Sequence, residues 1–359
     1  MPGNPYLLCS DLHASQRSTV KNLVITDPSS VKPPTSAFDR FLARLIYDPR
    51  DIPLARAQAL LALLGYPLAT LVFLRFSVWT VALFLVFYVI QLGPYTLMLH
   101  NVSHRRYFRS EVAWLDLPFI TILGTLFGHT PQSYYAHHIG MHHPENNLEA
   151  DLSTTIHLKR DSVFDFFFRY LGRFLIIGEH ELSVYLGKNN RGRLRRNFLI
   201  GAAVYWGGFA LLCFVNWQAT LVVFLVTMIF TRCAMMAGNW GQHAFIDPNR
   251  PDNCYVNSIT CINGFYNRRC FNDGYHISHH WKATRHWTEH PDELKDNIEQ
   301  YAEADAIIFR KIDFFLVWFF LMLKRYDWLA HFYVPIDNRN RSKNEIISLL
   351  KSRTRPIPT

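Results

Sequence analysis

Three long stretches of this chain carry no charged side chain, and they limit what it can fold into. No Asp, Glu, Lys or Arg occurs between Arg56 and Arg75, between Arg75 and Arg105, or between Arg196 and Arg232. A bilayer core is crossed by about 20 mainly apolar residues per helix, and buried helices of soluble proteins seldom run so long without charge. The third stretch is too long for one crossing, and Asn216-Trp217-Gln218 divides it near the middle. The expectation is an all-α integral membrane protein with four transmembrane helices in two hairpins, near 57–74 and 78–99, then near 198–215 and 218–237. A composition 50% hydrophobic and 18% charged agrees.

A net charge of +9 could suggest a nucleic-acid partner, but its distribution argues against one. The connections inside the hairpins, near Leu74-Arg75-Phe76 and Asn216-Trp217-Gln218, hold almost no charge. Nearly all Lys and Arg precede the first span, lie between the hairpins or follow the last span, which places those segments together on the cytoplasmic side. The basic surplus then reads as a topology signal with attraction to anionic lipid, and no nucleic acid is expected. Six scattered cysteines without a C-x-x-C pair argue against a disulfide framework or zinc ribbon.

Residues 1–50 are polar, with no apolar core of a secretory peptide, and read as a mobile cytoplasmic arm. Residues 51–335 form the membrane domain, and 336–359 a polar C-terminal tail. The insert 100–197 contains an apolar helix near 112–128. It also contains Asp161–Gly178, where phenylalanines alternate with Arg169 and Arg173 as in a helix lying in the headgroup plane or a packed soluble helix. Phe314–Leu323 is apolar but bracketed by Asp313 and Lys324, too short to span.

Seventeen histidines stand in this sequence, and their placement is informative. His100 and His104 form H-x-x-x-H at the end of the second span. His138, His142 and His143 form H-x-x-x-H-H after His137, and His276, His279 and His280 form H-x-x-H-H. Residues three or four apart share a helical face, so imidazoles at these spacings can point to a common centre. Asn239-Trp240-Gly241-Gln242-His243 follows the fourth span and puts Asn239 and His243 one turn apart. The topology lets all four groups meet at a cytoplasmic helical cap. Nine imidazoles exceed the needs of one ion and suit two, and imidazole suits Zn, Cu, Fe or Ni.

The pattern H-x3-H, H-x3-H-H, H-x2-H-H around two membrane hairpins resembles the membrane fatty-acid desaturase superfamily. Asn272-Asp273-Gly274-Tyr275-His276-Ile277-Ser278-His279-His280, followed by Arg285-His286-Trp287 and Pro291, resembles its third-box region, and the likeness spans roughly 75–295. It implies two iron ions in a non-haem di-iron centre that activates O2, with His100, His104, His138, His142, His143, His276, His279 and His280 as ligands. His243 matches a further ligand, and Asn239 an asparagine that contacts the centre through water. Two positions depart from the pattern. Ser278 stands where an acidic residue is common, and Trp281-Lys282-Ala283-Thr284 lacks the usual proline.

The resemblance implies desaturation of a fatty acyl chain in the membrane, cytoplasmic face inward, in the endoplasmic reticulum or a bacterial inner membrane. Hydroxylation is the alternative: Asn239-Trp240-Gly241-Gln242-His243-Ala244-Phe245 is also reminiscent of membrane alkane hydroxylases, which carry a glutamate where Gln242 stands. A lipid-binding or transport protein with a structural metal is a third reading. The chain has no His-Pro-Gly-Gly haem motif and no flavin or nicotinamide fingerprint, so electrons would come from a separate cytochrome b5 or ferredoxin. His137 could substitute for His138, His286 and His290 suit structural or substrate-edge roles, and His13, His129, His157, His180 and His331 receive no chemistry.

Overall fold

The computed structural model describes residues 23–358, with the backbone alone over 117–121. Most of the expected N-terminal arm up to residue 22, with His13, lies outside the described residues. The described residues are mostly helical, with one small two-stranded sheet among them that the apolar pattern does not announce. The chain divides into two compact units: Ser30–Met141 with Glu179–Cys233, and Met1–Ser29 with His142–Gly178 and Ala234–Thr359.

Among the described residues, three helices are long and apolar enough to cross a membrane: Pro49–Leu74, Val78–His104 and Gly192–Gln242, of 26, 27 and 51 residues. The first ends as Arg75 leaves helical geometry. The second starts at a reciprocal cap, in which Ser77 Oγ accepts from Thr80 N and Thr80 Oγ1 accepts from Ser77 N. At about 1.5 Å per residue its 27 residues reach about 40 Å, the thickness of a bilayer with its headgroups. The flanks stay bare: Trp79 is 81% exposed and Phe214 90%. Apolar surface of this extent is what soluble monomers avoid and what lipid covers.

The third helix breaks at Asn216, whose φ of −160° and ψ of 97° are extended. Its side-chain oxygen accepts from Ala219 N and restarts the helix, and its amide donates to Phe73 O. Tyr205 OH donates to Phe224 O at 3.0 Å, 19 residues away. A straight helix would separate those residues by about 28 Å, so the chain doubles back at Asn216. Arg232, within this apolar run, is neutralised by an ion pair with Glu179.

In the other unit, Thr260–Ile262 pairs in parallel with Ile308–Arg310. Phe314–Met322 is a nine-residue helix, about 14 Å long, whose Phe314, Val317 and Leu321 are buried. Asp165–Gly172 leaves Phe164 and Phe168 exposed and stacked, while Phe166 and Tyr170 pack on Trp240. The expected polar tail carries a helix, Lys343–Ser352, with Ile346 and Leu350 buried.

Arg160, fully buried, ties this unit together. Its guanidinium donates to the carbonyls of Thr155, Ile156, Leu158, Ala244, Arg353 and Arg355. Its own carbonyl accepts from Trp240 Nε1 at 2.9 Å. One side chain thus joins the loop after the second histidine box, the exit of the third long helix and the chain's C-terminal segment. Arg160→Met takes one donor from each of the six carbonyls, of which only those of Thr155, Ile156 and Arg353 keep a backbone donor, and is expected to destabilise the protein by about 3–5 kcal/mol. Arg160→Lys should not rescue it, because an ammonium has three donors and no planar fork. Thermal unfolding in detergent, followed by tryptophan fluorescence, reads both; a wild-type midpoint for Arg160→Met would refute this role.

Candidate metal centre

Each unit gathers histidines. In the first, His100 and His104 sit one turn apart on Val78–His104, their rings 5.3 Å apart. His138 lies against both: its Nε2 is 2.9 Å from His104 Nε2, and its ring is 4.6 Å from that of His100. The ligand nitrogens of the three lie within 4.8 Å of one another.

In the second unit, His142, His243, His276 and His280 likewise bring one nitrogen each within 4.8 Å. His276 Nε2 is 3.3 Å from His243 Nε2 and 3.0 Å from His280 Nε2. His276 and His280 are one turn apart on His276–Trp281, while His279 meets His143, Nε2 to Nε2, at 2.9 Å. The second box is therefore shared between groups, His138 joining one and His142 the other. The backbone over His138–His142 is a π-helix, whose wider turn separates side chains that an α-helix would align. His137 belongs to neither group.

Buried nitrogens crowded this way suit a cation. Two nitrogens held about 2.1 Å from one ion, at right or tetrahedral angles, stand about 2.9–3.4 Å apart. The Nε2 pairs, from 2.9 to 3.3 Å, fall in that range.

The next layer of contacts fixes which nitrogen faces the centre. His142 Nδ1 donates to Asp151 Oδ2 at 2.7 Å, and Asp151 is itself held by the Asn147 and Ser153 amides. His243 Nδ1 donates to Asn257, at 3.0 Å to the carbonyl and 2.9 Å to Oδ1. Asn257 Nδ2 in turn donates to Asn146 O and Pro251 O. With Nδ1 protonated, Nε2 keeps the bare lone pair a metal needs. Burial, with the proximity of His142 adding to it, pushes His243 down to about 4, so its imidazole is neutral near pH 7. Spacing offers no hint of Asn257. Asp151 follows Glu145 and Glu149 within eight residues of His143, and spacing does not single it out from them.

Asn239 lies one turn before His243, whose N–H donates to its carbonyl. Its side-chain amide donates directly to Ser153 O and Tyr170 OH. Gln242 donates to Asp273 Oδ2 at 3.4 Å, and burial raises that carboxyl to about 7 against donation from Tyr266 and Gln242. His286 caps a short helix through Thr288 N.

Membrane-length apolar helices and a polyhistidine constellation define a helical membrane protein built around histidine clusters. The family model for fatty acid desaturase matches residues 75–312, two thirds of the chain, and the chain belongs to that family. Membership points to an oxidoreductase of the desaturase or hydroxylase type acting on fatty acids. No curated protein and no solved structure matches the chain.

Asp151→Asn and Asn257→Ala should each weaken metal retention about 10- to 100-fold while the protein stays folded. His286→Ala should leave it unchanged. Elemental analysis after graded dialysis against chelator separates them; wild-type retention in both of the first two would remove their role.

Proposed function

We propose that this protein is an integral membrane, non-haem di-iron oxidoreductase that desaturates a fatty acyl chain, using O2 and electrons from a separate carrier such as cytochrome b5 or ferredoxin. The observation that carries the reading is the quartet His142, His243, His276 and His280, in which Asp151 and Asn257 set the free nitrogens of His142 and His243. His100, His104, His138, His142, His143, His243, His276, His279 and His280 would hold two iron ions, with Asn239 supporting His243 from one turn away. Bound iron supplies the oxidising power that an unactivated methylene demands and no side chain offers. The chain's own residues keep the His243 imidazole neutral, turn Nε2 of His142 and His243 inward and bury His142, His243 and His276 from water.

Four crossings in two hairpins follow from the reversal at Asn216, which supports dividing the third apolar helix into two. Both termini and the histidine boxes then lie on the cytoplasmic side. Hydroxylation is the second reading. Gln242 bears on it: a glutamate there would set two carboxylates side by side, because Asp273 occupies the partner position. The neutral Gln242 suits this site and departs from the alkane-hydroxylase pattern.

Lipid analysis of a heterologous host, with iron measured on gently purified protein, tests the reading. A new double bond and about two irons per chain are expected; an added hydroxyl would favour the second reading, and one zinc without iron would overturn both. His243→Ala should abolish product as fully as His100→Ala or His279→Ala, and Asn239→Ala should cost about 10- to 100-fold. Accessibility tags near Trp217 and Arg191 should report opposite sides of the membrane. Tags on the same side would defeat the four-crossing topology.

A further inference from the structure

Every residue of the helix Phe314–Met322 is aliphatic, aromatic or methionine. Phe314, Val317 and Leu321 bury one face, while Leu316 and Phe319, with Leu323 just past the end, leave the opposite face exposed. A helix apolar all round is covered all round, by protein or by lipid. With nine residues it cannot cross a hydrocarbon core of about 30 Å, so an apolar cover must reach it from one side only.

A second element has the same build. Asp165–Gly172 buries Phe166 and Tyr170, whereas Phe164 and Phe168 stack on each other outside, Phe168 at 68% exposure. The two bare faces are joined: the Trp318 ring lies 5.1 Å from Phe166 and 6.4 Å from the exposed Phe167. Beyond the first helix, exposed Trp328 stacks on Phe320 at 5.6 Å and extends the surface. Soluble monomers seldom leave a continuous aromatic surface of this kind uncovered.

Its place in the fold says what covers it. Both elements pack on the last turns of Gly192–Gln242, the longest apolar helix. Phe166 and Tyr170 meet the Trp240 ring at 5.3 and 4.9 Å. On another side, Gly241 lies so close to Phe314 O that a Cβ there would be 2.3 Å away, and Gly238 faces the Phe315 ring. Only glycine admits this approach at Gly241. The bare surface therefore flanks the point where a membrane-length helix ends, inside the unit that holds the histidine quartet.

The charges agree. Arg169, Arg173, Lys311, Lys324 and Arg325 stand exposed at the ends of the two apolar segments. Asp165 and Asp327 pair with Arg169 and Arg325, and Asp313 accepts from Leu316 N as a helix cap, so bases remain in surplus. The Arg325 guanidinium also lies over the Trp328 ring, 5.5 Å from its centroid. Aromatic rings beside exposed bases suit the boundary between acyl chains and phosphates.

We propose that residues 164–172 and 314–328 form a collar seated in the headgroup layer of the bilayer that the long helices cross, its exposed rings against lipid chains and its bases against lipid phosphates. The collar then sets the depth of His243, which follows Gln242 directly. The assignment rests on the reading of the long helices as membrane crossings and on nothing about the reaction.

Photocrosslinking of the full chain in tritiated phosphatidylcholine vesicles tests it. Phe168, Phe319, Val86 and Lys295 are each replaced by p-benzoylphenylalanine, all at exposed positions, so unfolding midpoints in detergent should stay at the wild-type value. Val86, on the membrane-length helix Val78–His104, reports the bilayer itself, and Lys295 reports background. Lipid adducts at Phe168 and Phe319 should exceed those at Lys295 about tenfold. Adducts at the Lys295 level with Val86 labelled would overturn the collar and leave the membrane crossings standing. Crosslinks from Phe168 and Phe319 to a second copy of the chain in place of lipid would also overturn it. Absence of label at Val86 as well would remove the membrane reading together with the collar.

Discussion

A neutral imidazole has one bare lone pair, and whichever nitrogen carries the proton decides where that lone pair points. The histidine clusters depend on this constraint. Within the quartet, Asp151 and the Asn257 carbonyl can only accept, so His142 and His243 must donate from Nδ1 and turn Nε2 inward. Lone pairs a few ångströms apart in a buried pocket repel unless a cation lies between them. The electrostatics of the quartet are thus unfavourable by themselves and become favourable with a metal present. Much of the surrounding structure serves to hold that arrangement in position.

Two devices do so. The short parallel sheet presents Cys261 N to Gly274 O, and Asn267 bridges Gly274 N and Cys261 O. Gly274 admits no side chain, because a Cβ would lie 2.3 Å from Cys261 O. This fixes the turn that launches His276. Asp27, far away in sequence, reinforces it by accepting from Asn263 N, Asn267 Nδ2 and Tyr275 OH. Arg160 does the same for His243 from the opposite direction, through Trp240, Ala244 and the C-terminal carbonyls, while Thr155 Oγ1 donates to His243 O. Segments that read as a polar arm and a polar tail therefore include structural parts of the site.

What the sequence revealed and what it concealed have physical causes. Charge-free length is a property of a contiguous stretch, so the long helices and the break at Asn216 were legible. Histidines three or four apart register a helical face, so the clusters were legible as well. The division of the second box was not, because a π-turn leaves no trace in spacing. Nor was the role of Asp27, whose partners begin 236 residues away, or of Arg160, whose partners are all backbone carbonyls that any sequence supplies.

Ser278 shows how a departure in sequence can be offset in space. An acidic residue is common at this position in the resembling family, and here a hydroxyl replaces it. Ser278 Oγ lies 2.8 Å from His290 Nδ1 and accepts from Arg285 Nη1 at 2.8 Å. Arg285 also faces Glu293, 3.7 Å away. Burial pushes the Glu293 carboxyl up, and Ser278, Arg285, Tyr301 and Asn297 pull it back. A carboxylate is therefore present behind the third box, delivered by the helix that starts at His290. Moving the acid one step outward lengthens the path from carboxylate to imidazole and replaces a direct charge with a hydrogen-bonded chain. Ser278, next to His279 on His276–Trp281, thereby anchors that helix to His290 and Arg285, and through Arg285 to Glu293.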